Sequence, residues 1–156
     1  ALAVASTLAV VCLGPPLLML VANILQGQGP EGVGETLLTL LRVVGAGFMI
    51  TLLYTGVTMG VASLTDRKAI ATAGIILLLL VSATIGTMLA EVSGNDDFLM
   101  LSVIDMSLDI GPRVHGESPF DQIEITSIAS FAAWFVWTVG GFALAWFQLH
   151  RLPVTR

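Results

Sequence analysis

Few residues in this chain carry chemistry. Thr51, Tyr54, Thr55 and Thr58 recur at helical intervals inside Val43–Ser63, a stretch with no ionisable group apart from the tyrosine. A stripe of hydroxyls along one helix is either a wall of a substrate path or a set of groups bonded back to carbonyls of its own or a neighbouring helix. Further along, Ser102, Asp105 and Asp109 fall at helical spacing on one face, with Phe98, Leu101, Ile104 and Leu108 largely on others. That pattern predicts an amphipathic helix lying on, or dipping into, a bilayer interface, stopped by Gly111 and Pro112.

Other combinations are missing. A membrane protease needs a nucleophile with a base in reach, and no base accompanies the serines and threonines in the apolar runs. Haem ligation needs histidines in those runs, whereas His115 belongs to a connection and His150 to the end of the last run. Cys12 stands alone in apolar surroundings, which excludes a disulfide framework and a cysteine-based metal site. Asp96 and Asp97 are adjacent and read as a solvated turn, not a metal site. No phosphate-cradling glycine loop with a following lysine occurs. The expectation is therefore no catalytic, cofactor-binding or metal-ligating residue, and no ATP hydrolysis by this chain. Energy for any movement must come from a partner.

The elements that position these residues follow from apolar length. Val43–Ser63 is 21 residues and Ala69–Ala90 has a similar length without charge; at about 1.5 Å per residue each matches a hydrocarbon core of roughly 30 Å. The six residues Ser63–Lys68 between them must turn the chain at one bilayer surface. Residues 1–25 form another span, with Gly14, Pro15 and Pro16 near its middle predicting a kink or break. A signal peptide is disfavoured there, because no basic segment leads and the apolar run is too long. The fourth span is residues 126–149. Ser118, Pro119 and Asp121 look like a helix start from which one helix runs on into that span. With 56% hydrophobic and 11% charged residues among 156, the fold class is all-α, a polytopic transmembrane bundle of four spans with an outer amphipathic or re-entrant helical segment at 91–125.

Charge segregates with those spans. Arg67 and Lys68 in the short turn, with Arg151 and Arg156 at the C-terminus, are four of the six basic residues and fall on one face. Ten of the eleven acids, all but Asp66, fall on the other. The net charge of −5 thus reports topology, and the basic face is expected to be cytoplasmic. Thr36–Leu41 is apolar and is expected to begin the second helix at the interface, which puts Arg42 at the edge of its span, placed to snorkel or to pair with Glu31 or Glu35. Gly56 and Gly60, four apart, suit close helix packing; Gly45, Gly47, Gly141 and Ala145 can add to it. Of Trp134, Trp137 and Trp146, only the last is near enough to an end to anchor at an interface.

The segments GVTMGVASLTDRKAIATAGIILLLL, EVSGNDDFLMLSVID and WFVWTVGGFALAWFQLHR together resemble the permease subunits of type 2 ABC exporters. The resemblance is one of pattern and covers most of the chain. It implies that these four spans are the third through sixth of a six-span permease, the chain being a fragment that lacks the amphipathic helix and coupling segment expected before Ala1. It implies a second permease chain, identical or not, and a separate ATP-binding cassette ATPase subunit that carries ATP and magnesium. The setting would be a bacterial inner (plasma) membrane, in contact with lipid and not nucleic acid, with both ends cytoplasmic. Asp66, Arg67 and Lys68 would then form the ATPase-contact turn, although the two bases equally suit fixing topology against lipid phosphates. Asp66 could cap the following helix, and Asp105 and Asp109 could shape an outer gate. The competing expectation is a non-transporting structural or anchoring subunit of a larger membrane complex.

Overall fold

Within hydrocarbon every backbone N–H and C=O must be satisfied inside the protein, so apolar runs of this length fold as helices. The computed structural model describes residues 2–27, 32–116 and 125–151. Among these the architecture is all-α: α1 (Leu2–Leu25), α2 (Val33–Ala62), α3 (Lys68–Ser93), a short tight helix (Asp96–Leu101), α4 (Val103–His115) and α5 (Ser127–Arg151). α1, α2, α3 and α5 are each long and apolar enough to cross a membrane, which makes this a multi-pass membrane protein. The span start predicted at Ser118, Pro119 and Asp121 lies outside the described residues.

α2 is the hub, packing against α1, α3, α4 and α5, whereas α1 lies, among the described helices, chiefly against α2. The buried core is correspondingly off-centre. Leu53 and Val57 of α2 meet Met100 of the tight helix, Val103, Met106 and Ile110 of α4, and Ile125. It therefore sits beneath α4, toward the acid-rich face, while much of the remaining apolar surface, such as Leu18 and Met19 of α1, faces outward.

Three boundaries differ from expectation. α1 runs unbroken through Pro15 and Pro16; a break in hydrocarbon would strand more backbone groups than the two donors the prolines already remove. α2 starts at Val33, three residues before the start expected at Thr36, and runs on through Arg42, whose guanidinium finds a carbonyl. α4 continues past Gly111 and Pro112 to His115. Its last turn is held by an Asp109–Arg113 pair one turn apart and by the Gly116 N–H, which bonds the carbonyls of Pro112 and Arg113. Gly116 has φ 83° and Gly94, which closes α3, has φ 64°, conformations where a β-carbon would be strained.

Candidate functional site: a buried clasp beneath the acid-rich face

After Gly94 the chain turns back alongside α3. A β-carbon on Gly86 would lie 3.1 Å from the Phe98 carbonyl oxygen, and Gly86 is about 10 Å along α3 from Ser93 at 1.5 Å per residue. The tight helix and α4 therefore re-enter the level of the spans. Asn95 caps the first through the Asp97 N–H (3.0 Å), and Ser102 caps α4 through the Asp105 N–H (3.2 Å).

The segment takes the dipping arrangement of the two expected: two of its polar residues and one apolar row, Met100, Val103, Met106 and Ile110, are buried in the bundle while a second apolar row faces out. Ser102 and Asp109 are fully buried, while Leu101, Ile104 and Leu108 are exposed, Leu108 by 58%. An aqueous surface would reverse this, but a segment surrounded by lipid turns its apolar side outward and its polar groups toward partners in the bundle. Asp105 is half-buried in the first turn of α4, one turn before the fully buried Asp109.

Asp109 is the centre of a clasp. Its Oδ2 accepts hydrogen bonds from Arg113 Nε (2.5 Å) and Ser130 Oγ (2.5 Å). Arg113 Nη1 donates to Ser127 Oγ (2.8 Å) and Nη2 to the Ile125 carbonyl (2.6 Å), so one guanidinium ties the end of α4 to the start of α5. Asp97 Oδ1 accepts the Thr126 N–H (2.8 Å) just before α5; a carboxylate there also suits the positive end of the helix. The Ser130 hydroxyl has one proton and two acceptors in range, Asp109 Oδ2 and, at 3.4 Å, Met100 Sδ. The charged oxygen is the stronger acceptor. Asp109 Oδ1 is buried with no partner among the described residues, so half of the carboxylate is unsatisfied by them and the clasp costs more to bury than a completed network would.

The hydroxyl stripe divides. Thr51 donates to the Gly47 carbonyl (2.7 Å) and Thr58 to that of Tyr54 (2.6 Å), both on their own helix. Tyr54 alone reaches across, its hydroxyl 3.1 Å from Ser107 Oγ on α4. The Thr55 hydroxyl is buried without a partner among the described residues, as is that of Thr138 on α5. An apolar cavity of about 260 Å³ between α2, α3 and α5 is lined by residues such as Val57, Gly60, Trp137 and Gly140, and none of the stripe residues borders it. Gly56 and Gly60 lie against α5: a β-carbon on Gly56 would sit 2.7 Å from the Thr138 carbonyl oxygen, and one on Gly60 3.1 Å from Gly141 Cα.

At the basic end, Asp66, Arg67 and Lys68 are all exposed. Asp66 is not the cap of α3. That position is Arg67, with no side chain bonded to the helix end, and the Arg67 N–H is taken by Thr65 Oγ1 at 3.2 Å. Across the bundle, α5 ends with Arg151 over the Phe147 ring (4.0 Å) and Trp146 edge-on to His150 (4.5 Å). Trp134 Nε1 instead donates to the Met49 carbonyl (2.9 Å), joining α5 to α2.

Arg113, Ser130 and the Arg42 bond to the His115 carbonyl are absent from the sequence-derived site. Four-residue spacing of Asp109 and Arg113 was the available signal for the first, masked by treating Gly111–Pro112 as a stop. Among the described residues Arg42 forms no ion pair with Glu35, while Glu31 lies outside them. No cluster of three metal-ligating side chains occurs among the described residues. No protein family, curated protein or solved structure matches the chain.

Proposed function

We propose that this chain is a permease subunit of an ATP-driven exporter of the type 2 ABC class, paired with a second permease chain and powered by a separate ATPase subunit. The observation that carries the proposal is the clasp: a re-entrant hairpin between α3 and α5, tied to α5 by Asp109, Arg113 and Ser130. It supplies a part that can open at one end of the bundle while an exposed charged turn, Asp66–Lys68, stands at the other. α2 connects the two ends, since it runs into that turn and bonds α4 through Tyr54. In this mechanism the ATPase, with ATP and magnesium, pushes on the turn, α2 shifts against α5, and α4 lifts to open the exit. The basic end faces the cytoplasm of a plasma membrane, following the charge asymmetry.

A second reading, a non-transporting anchor in a larger complex, is favoured by one observation. The hydroxyls of Thr51 and Thr58 are spent on their own helix and leave no polar wall. Two measurements separate the readings. Purification of the native complex should retain a nucleotide-binding subunit, and replacing Arg67 and Lys68 with alanine should weaken that retention about tenfold, worth roughly 1.4 kcal/mol. A complete complex with no nucleotide-binding chain overturns the exporter. In a Cys12→Ser background, Asp105→Cys should react several-fold faster with an impermeant maleimide when ATP is supplied. An ATP-independent rate selects the anchor.

A further inference from the structure

We infer that the cleft between α1 and α2 is a binding site for one anionic phospholipid, its phosphate held by Arg42. The cleft is an open groove of about 410 Å³ lined by Pro16, Met19, Leu20, Asn23, Thr39, Arg42, Val43 and His115. Four of these are apolar and four can donate or accept hydrogen bonds, and no acidic side chain is among them. That division matches an amphiphile, not a polar solute.

Depth gives the same answer. Arg42 is 20 residues before Ala62, the end of α2, which is about 30 Å along the helix and so one hydrocarbon thickness from the basic end. Its guanidinium therefore stands at the level where phosphates of the acid-rich leaflet lie. Nη1 donates to the His115 carbonyl at 3.2 Å, the one bond Arg42 makes among the described residues. That contact fixes the plane of the fork and leaves further N–H groups for a phosphate, which arginine binds through parallel bonds. The other arginine on this side, Arg113, is committed to Asp109 and two oxygens of the α5 start. Arg42 is thus the cation here whose charge is not matched within the described residues.

The volume lies near the lower end for ligand pockets, roughly 300 to 1,000 Å³, so it takes a headgroup and the upper part of one acyl chain. The rest of that chain continues along α1, where Leu18 and Met19 are exposed. The site depends only on the membrane placement of the helices and not on the exporter assignment.

Native mass spectrometry of the full chain, released from micelles holding phosphatidylglycerol and phosphatidylcholine with identical acyl chains, tests it. Wild type should retain phosphatidylglycerol about tenfold over phosphatidylcholine, Arg42→Gln less than twofold, and Arg42→Lys at least threefold. A photoreactive phosphatidylglycerol should label α1 between Pro16 and Asn23. Should Arg42→Gln not fold, Asn23→Leu and Thr39→Val serve, each lowering the preference at least twofold. Equal retention of both lipids by wild type, or a preference untouched by these substitutions, overturns the site. Displacement of the lipid by millimolar glycerol phosphate overturns it as well, because it would show an anion site in which the apolar wall contributes nothing.

Discussion

The first turn of α5 and its middle are held by opposite means. From Thr126 to Ser130 the chain entering the helix and its first turn are gripped by charged side chains reaching from Asp97, Asp109 and Arg113. At Thr138–Gly141 side chains are almost absent from the contact, and the backbone of α5 lies directly on that of α2 at Gly56 and Gly60. A polar grip has discrete made and broken states, since its bonds are directional and short-ranged. A backbone-on-backbone crossing has no such alternative and holds through dispersion over a small area. The difference assigns roles within one helix: its middle is a fixed fulcrum, and its first turn is the part that can let go.

The sharpest way to break this contrast is to remove the grip. Asp109→Ala should destabilise the chain by about 3 to 5 kcal/mol, because it leaves the Arg113 guanidinium partly buried beside the carbonyl of Ile125 with its counter-charge gone. Adding Arg113→Met should return most of that loss, since the unpaired charge, and not the lost bond, dominates the cost. Unfolding by a denaturing detergent in mixed micelles measures both. A double variant no more stable than Asp109→Ala would show that the clasp is held by something other than the pair.

How far the two anchors were legible in sequence differs for the same physical reason. Gly56 and Gly60 announce themselves because a helix approach in lipid requires small residues at a four-residue interval, a local pattern. So do the spans, whose length and lack of charge are local properties. The clasp joins Asp97 to Thr126 and Asp109 to Ser130, positions 29 and 21 residues apart, and no periodicity links residues on separate elements. A helix beside water should point Asp109 outward, but one flanked by lipid points Leu108 outward instead. The start of α2 was legible to within a few residues, because Thr36–Leu41 is apolar and carries the helix past Arg42; the structure adds one turn, to Val33.

The fulcrum is tested by two neighbouring glycines. A β-carbon on Gly141 would overlap the carbonyl group of Gly56, while one on Gly140 meets nothing within 4 Å. Gly141→Val should therefore cost up to about 3 kcal/mol as the crossing is forced open, and Gly140→Ala should be neutral or add up to about 1 kcal/mol through helix propensity. The same unfolding assay reads both. Similar effects at the two positions would mean that the close approach is not what holds α2 to α5.

The smallest effects come from the hydroxyl stripe, and they sharpen the division between bonds that cross elements and bonds that do not. The Ser107 hydroxyl donates to the Ile104 carbonyl (2.7 Å), so the Tyr54 hydroxyl is the donor in the Tyr54–Ser107 pair. Tyr54→Phe removes that donor without stranding Ser107, and about 0.6 kcal/mol is the expected loss, the usual size of a hydrogen bond between helices in a membrane. Thr51→Val deletes only a bond to the carbonyl of its own helix four residues back, whose oxygen still accepts the backbone N–H of that turn. Its stability should stay within about 0.5 kcal/mol of wild type. Thr55→Val should be neutral or stabilising, because the hydroxyl it removes is buried without a partner among the described residues. A large loss for Thr51→Val or Thr55→Val, with none for Tyr54→Phe, would mean that the stripe holds α2 through contacts to other elements, and that α4 is not coupled to α2 through Tyr54.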